Sequence, residues 1–296
     1  MPSTLDCAIC IMRQALEAAR FATDDVDKHA KILETAMRIT IDAGMKIDPP
    51  WVGTLVHRAA REISGDRDPY LKEKKRFNRY ALARIDDLRR WIQESRDPFE
   101  TTVRLAIAGN SIDFAMESIS EAQIDDAIRR ALDQPLVGNL DELQAAISDA
   151  NRILYLTDNA GEIVCDRLLV EMLLSPEFGK EVVVATRGKP ILNDALYEDA
   201  EEAGITRLTR VVGNGGDGLG TIFSLTSREF QREFRAADLV IAKGLANYET
   251  LRAPRQGDLI PKALAMLFKA KCHYIAEEVG AQFGDLIVQV RRGELR

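Results

Sequence analysis

The chain has 296 residues, 46% hydrophobic and 29% charged, a composition that excludes disordered and fibrous classes. Its 40 basic and 47 acidic residues leave a formal net charge of −7, which argues against a nucleic-acid partner, because those demand a basic footprint. No apolar run approaches the roughly 20 residues of a bilayer span. The opening segment reaches an acid, two cysteines and an arginine too early for a signal peptide. The expectation is a cytosolic protein with a small-molecule ligand and no membrane partner.

From Asp6 to about Asp149 apolar residues return every three or four positions, which predicts helices. Gly44, Pro49-Pro50, the run 65–69 and Asp97-Pro98 punctuate them. This predicts an N-terminal helical domain over 1–98 and a helical lead-in, 99–149, to a second domain spanning 99–296. Basic and acidic residues mix over 61–97, as on a solvated helix surface. Cys7 and Cys10 form a CxxC on the first helix, which by itself reads as core packing rather than a metal knuckle.

After Ala150 the period changes. The runs 153–156, 182–185, 208–212 and 239–242 have the composition of buried parallel strands, and 286–290 reads as a last strand. Helical stretches are predicted over 161–174, 192–203, 222–236 and 261–279. The alternation implies an α/β fold: a Rossmann-like α/β/α domain with a mainly parallel sheet, beside the helical domain.

Polar residues follow four of these strands: Asp158-Asn159, Arg187-Gly188, the glycine-rich run 213–220 and Lys243-Gly244. In a parallel sheet all four share the edge where open α/β sheets bind ligands. Asp158, Asn159 and Asp194 offer hard oxygen donors to a divalent ion, and Arg187 and Lys243 offer charge to a phosphate. Each residue alone also serves as a helix cap. The run 213–218 formally satisfies GxGxxG, with an acid, Asp238, some 20 residues on. That acid precedes its strand and so falls at the wrong edge for a ribose, which removes the dinucleotide reading. Cys165 reads as a small core residue.

The words TDNAGEIVCD (157–166), RGKPILNDA (187–195), KGLANYETL (243–251) and LAIAGNSIDF (105–114) resemble those of the damage-control phosphatase family, the ARMT1-like domain of unknown function 89. Cys7 and Cys10, with Arg13-Gln14-Ala15-Leu16 and the late Lys271-Cys272, resemble its archaeal and bacterial subgroup. The resemblance implies a metal-dependent phosphatase of small phosphorylated metabolites, either sugar phosphates or damaged cofactor precursors. It implies a divalent ion (Mg, Mn, Co or Ni) on Asp158, Asn159 and Asp194, with Asp158 and Lys243 in the catalytic step. Asn110, Asp113, Arg187, Gly188 and Asn247 would meet the substrate. Cys7, Cys10 and Cys272 would hold a structural zinc. Cys165 stands where a phenylalanine is expected and Leu219 where the glycine loop often has proline. Two rival readings are an S-adenosylmethionine-dependent carboxyl methyltransferase and a non-catalytic binder of a phosphorylated metabolite.

Overall fold

A computed structural model describes residues 5–44, 48–109, 126, 129, 130 and 132–293. The helical part comprises α1 (Leu5–Ala22), α2 (Val26–Ala43), α3 (Pro49–Ser64), α4 (Leu71–Ala83), α5 (Ile85–Glu94) and α6 (Pro98–Ala108). Its boundaries follow the punctuation in the sequence. Asp25 accepts from the Asp27 and Lys28 N–H groups at the start of α2. Prolines open α3, and Gly65, in the left-handed region at φ 84°, closes it. Asp97 caps α6 by accepting from the Glu100 N–H.

Packing divides the helices after α3. Ile11, Ala15, Ala36, Val52 and Val56 form a small core shared by α1–α3. Phe77, Tyr80, Ile85 and Leu88 of α4 and α5, and Val103, Leu105 and Ile107 of α6, instead join the core beneath the sheet. That docking brings α4 over the loops at the sheet's edge.

The second part alternates: β1 (Leu136–Gly138), α7 (Leu140–Asp149), β2 (Arg152–Leu156), α8 (Glu162–Leu174), β3 (Glu181–Thr186), α9 (Tyr197–Glu202), β4 (Arg210–Gly213), α10 (Arg228–Ala236), β5 (Leu239–Lys243), α11 (Leu245–Leu251), β6 (Ala263–Lys269), α12 (His273–Glu278) and β7 (Leu286–Arg292). The sheet order is β1-β7-β6-β5-β2-β3-β4, parallel from β4 through β6; β7 runs antiparallel to β6, and β1 parallel to β7. Alternation along the central strands buries both faces. Ile153, Tyr155, Leu239 and Ile241 point to one core, and Leu154, Leu156, Val240 and Ala242 to the other. After β2, β3 and β4 run outward in one direction, and β5 then returns to the other side of β2. The carboxyl ends of β2 and β5 therefore flank the topological switch point, where such sheets open a crevice.

Three sequence expectations are corrected. Residues 263–269 form a strand, not part of a helix: ALAMLFK is buried on both faces, so it lacks the alternation that would separate a strand from a buried helix. Residues 136–138 pair with β7 inside a segment read as helical. The helices expected over 192–203 and 222–236 are confined to α9 and α10, preceded by turns. Among the described residues no helix is long and apolar enough to cross a membrane.

Candidate active site

Two loops meet at the switch point. After β2 the chain runs through Asp158 and Asn159 to Gly161, and after β3 through Arg187 to Asp194. They are laced by backbone: the Ala195 N–H donates to Asp158 O (2.8 Å), the Ala160 N–H to Asn193 O (2.9 Å), and Asn159 and Asp194 form an isolated antiparallel bridge. Asp158 and Asp194 are buried, as expected of side chains in a crevice rather than on a surface. Burial pushes the Asp194 carboxyl up to about 7; the Arg187 guanidinium opposes this and the Asp158 charge adds to it. Gly244 makes room for Asp158. At φ 82°, a Cβ there would sit 2.0 Å from Asp158 Oδ2.

Asn159 completes the trio. Its Nδ2 donates to Asp158 Oδ2 (3.1 Å) and Glu162 Oε2 (3.3 Å), so the atom its amide can offer a cation is Oδ1. Two carboxylates and an amide, all oxygen donors, fit a hard divalent ion. The mutually unfavourable charges of Asp158 and Asp194 are what such an ion would relieve.

The two cations expected to meet phosphate, Arg187 and Lys243, are both engaged by protein acceptors. Arg187 is buried, with Nε on Asp194 Oδ2 (2.6 Å), Nη1 on Gly220 O (2.6 Å) and Nη2 near Asn247 Oδ1 (3.4 Å). Its guanidinium orients a carboxylate instead of facing outward. Lys243 lies wholly inside, donating to Ala106 O (2.6 Å), Glu162 Oε1 (2.8 Å) and Asp166 Oδ1 (2.5 Å). Burial alone would lower its pKa, but the Asp166 and Glu162 charges outweigh that and hold it above the ordinary lysine range. Burial also raises Glu162, to about 8, and Asp166.

Asn247 and Gly188 are likewise engaged by the protein. Asn247 donates to Lys243 O (2.8 Å) and Thr157 O (3.2 Å) and accepts from Thr221 Oγ1 (2.9 Å). The Gly188 N–H donates to Asn214 Oδ1 (2.9 Å), and a Cβ on Gly188 would lie 2.3 Å from Gly215 N. The glycines of 213–220 thus answer to close backbone packing rather than to an open cradle. Asp238 binds the Asn151 and Arg152 N–H groups at the far edge, as its position before β5 implied.

The glycine loop is also gripped by α3. Asp217 accepts from Arg58 Nε (2.8 Å) and from Arg61 Nη2 (2.7 Å), and the Leu219 N–H donates to Thr54 Oγ1 (3.0 Å). A proline at 219 could not make that last bond, so this chain fixes its loop by docking where a proline would fix it by its ring.

Asn110 and Asp113 lie outside the described residues. Cys165 is buried, its thiol pushed up to about 12, and reads as packing. Among the described residues no three His, Cys, Asp or Glu side chains gather as a metal-binding group. Cys10 accepts from Gln14 Nε2 (3.3 Å), and Cys272 packs against the C-terminal core.

Sequence reasoning missed Glu162 and Asp166, which stand in a quoted motif but whose partner, Lys243, is 81 and 77 residues distant. It also missed Lys74 and Asn78, buried in a segment read as solvated; nothing but their spacing, on one face of α4, could have marked them.

Comparison with known proteins agrees with this fold. Residues 3–287 match the model of the damage-control phosphatase ARMT1-like domain. The chain is 38% identical to an uncharacterized protein of Methanocaldococcus jannaschii, over 97% of this chain and 94% of that protein. It is 31% identical to a damage-control phosphatase of Archaeoglobus fulgidus, over 96% of this chain and 97% of the relative. A DUF89 family protein from Pyrococcus horikoshii, solved by crystallography, superposes with a TM-score of 0.86 at 31% identity, covering 98% of this chain and 99% of that one.

Proposed function

This chain belongs to the damage-control phosphatase ARMT1-like family, and from that premise we propose that it is a metal-dependent phosphomonoesterase acting on small phosphorylated metabolites. The observation that carries the reading is the pair of desolvated carboxylates, Asp158 and Asp194, laced backbone to backbone with the Asn159 amide between them at the switch point. The overall reaction adds water across a P–O ester bond and releases inorganic phosphate and an alcohol.

Asp158, Asn159 and Asp194 would hold the ion, of the Mg, Mn, Co or Ni class. When bound there it would place positive charge on phosphoryl oxygens and acidify water. The chain's own residues prepare that site. Arg187 aims Asp194 and favours its ionised form through a hydrogen bond to Oδ2. Glu162 accepts from the Asn159 Nδ2 and so orients the amide, while Lys243 neutralises Glu162 from below. In this reading Lys243 acts through Glu162 and touches no substrate. The methyltransferase alternative asks the glycine loop to receive a nucleoside, and the packing of that loop against α3 and Gly188 gives it no support.

The test is phosphate release from p-nitrophenyl phosphate and a panel of sugar phosphates, with EDTA and with each divalent metal. Activity abolished by EDTA and restored by metal is expected. Metal-independent hydrolysis, or binding of phosphorylated metabolites with no turnover under any metal, would overturn the proposal.

A further inference from the structure

The two loops that carry Asp158 and Asp194 are joined a second time, by a side chain from the helical part. Asn78 of α4 is fully buried. Its Oδ1 accepts from the Gly161 N–H (2.7 Å), three residues after Asp158. Its Nδ2 donates to Asp199 Oδ1 (2.8 Å) and Glu202 Oε2 (3.0 Å) on α9. Asp199 Oδ2 in turn accepts from the Leu196 N–H (2.8 Å), two residues after Asp194. One amide therefore bonds the first loop directly and the second through Asp199, with one acceptor and two donor hydrogens that a carboxylate lacks and a single hydroxyl cannot supply at both ends.

Its neighbours on the same helix face hold it there. Phe77 stands where a Cβ on Gly161 would lie, 2.9 Å away, and Gly161 has φ 79°, so this approach admits only glycine. Lys74 lies 2.7 Å from Asp68 Oδ2 and 3.8 Å from Asp199 Oδ2, and offsets the carboxylate that Asn78 meets. Its charge also reaches Asp194.

We propose that Asn78 is a positioning residue, a bracket by which the helical part sets the separation of the two carboxylate-bearing loops. The inference rests on the reading of Asp158 and Asp194 as a metal site only for its functional consequence; the bracket itself stands on the contacts of Asn78. Residues that orient a metal's ligands typically control about 10- to 100-fold in metal affinity.

The experiment uses the full chain and four variants: Asn78→Asp, Asn78→Ser, the exchanged pair Asn78→Asp/Asp199→Asn, and Leu88→Ala as a control in the core. Hydrogen exchange is followed on the metal-free protein in peptides covering 157–163 and 193–199, and Mn(II) affinity by electron paramagnetic resonance. Asn78→Asp, which sets a carboxylate against Asp199 and Glu202, should speed exchange in both peptides and weaken Mn(II) about 10-fold or more. Asn78→Ser, too short to span both partners, should do the same and carries the test if Asn78→Asp does not fold. The exchanged pair restores a donor opposite an acceptor at position 199, with Glu202 still unmatched, and should recover both readouts in part. Leu88→Ala should lower the melting temperature and move neither. Faster exchange in one peptide alone, a folded exchanged pair that recovers nothing, or the same loss in Leu88→Ala would overturn the bracket. A parent chain that binds no Mn(II), with both peptides still loosened by the Asn78 variants, would overturn the metal reading and leave the bracket standing.

Discussion

Two buried clusters in this protein have the same make-up, one cation and two carboxylates, and opposite fates. Arg187 with Asp194 and Asp158 sits at the strand ends; Lys243 with Glu162 and Asp166 sits beneath them. In the inner cluster the surplus negative charge is met by the interior. Tyr155 Oη donates to Asp166 Oδ1 (2.8 Å), and the Lys243 ammonium donates to both Glu162 Oε1 and Asp166 Oδ1. In the edge cluster Asp194 Oδ2 accepts from Arg187 Nε, and Asp158 Oδ2 accepts from Nδ2 of the half-buried Asn159. The same composition closes on itself inside the core and, in the proposed reading, serves a cation at the strand ends.

The sharpest way to break this comparison is to remove a charge from the edge. Asp194→Asn keeps an acceptor for Arg187, so it should fold with a melting temperature near that of the parent while losing more than about 100-fold in metal-dependent activity, beyond what losing a ligand's hydrogen-bond partner costs. Phosphatase assays with a metal titration check it. Retained activity would place the ion elsewhere.

Lys243→Met probes the inner knot. It strands two carboxylates in the interior, and the expected loss is about 3–5 kcal/mol of stability, read by urea unfolding. If Lys243 met phosphate, the same change would lower kcat and leave stability nearly intact.

A smaller effect distinguishes a neutral buried group from the charged ones. His57 on α3 is buried, and burial pushes its pKa down to about 3, with the Arg61 charge adding. The unfolded chain takes up its proton near pH 6.5, so between about 6.5 and 3 the unfolded state binds more protons than the folded one. Stability from this residue is present above that window and falls as pH falls through it. Melting temperatures from pH 7 to 4 should decline more steeply in the parent than in His57→Gln.

The smallest effect is expected at the docking of the glycine loop on α3. Asp217→Asn removes a partly exposed pairing with Arg58 and Arg61, and should cost about 1 kcal/mol with little change in kcat. Calorimetry and steady-state kinetics on one preparation decide it.

The alternation after residue 150, the helix boundaries at Asp97-Pro98 and Gly65, and the meeting of the Asp158-Asn159 and Asp194 segments at one edge were legible in the amino-acid sequence. Each of these depends on local pattern: apolar runs bury as strands, prolines and glycines end helices, and whatever follows a parallel strand falls on one edge. Only the tertiary structure decided the rest. Residues 263–269 became a strand because β5 and β7 offered it partners on both sides, and Arg187, Lys243 and Asn78 acquired their roles from acceptors that their own segments do not contain. A long polar side chain takes its function from whichever buried groups it must satisfy, and those arrive from elements far away in the chain.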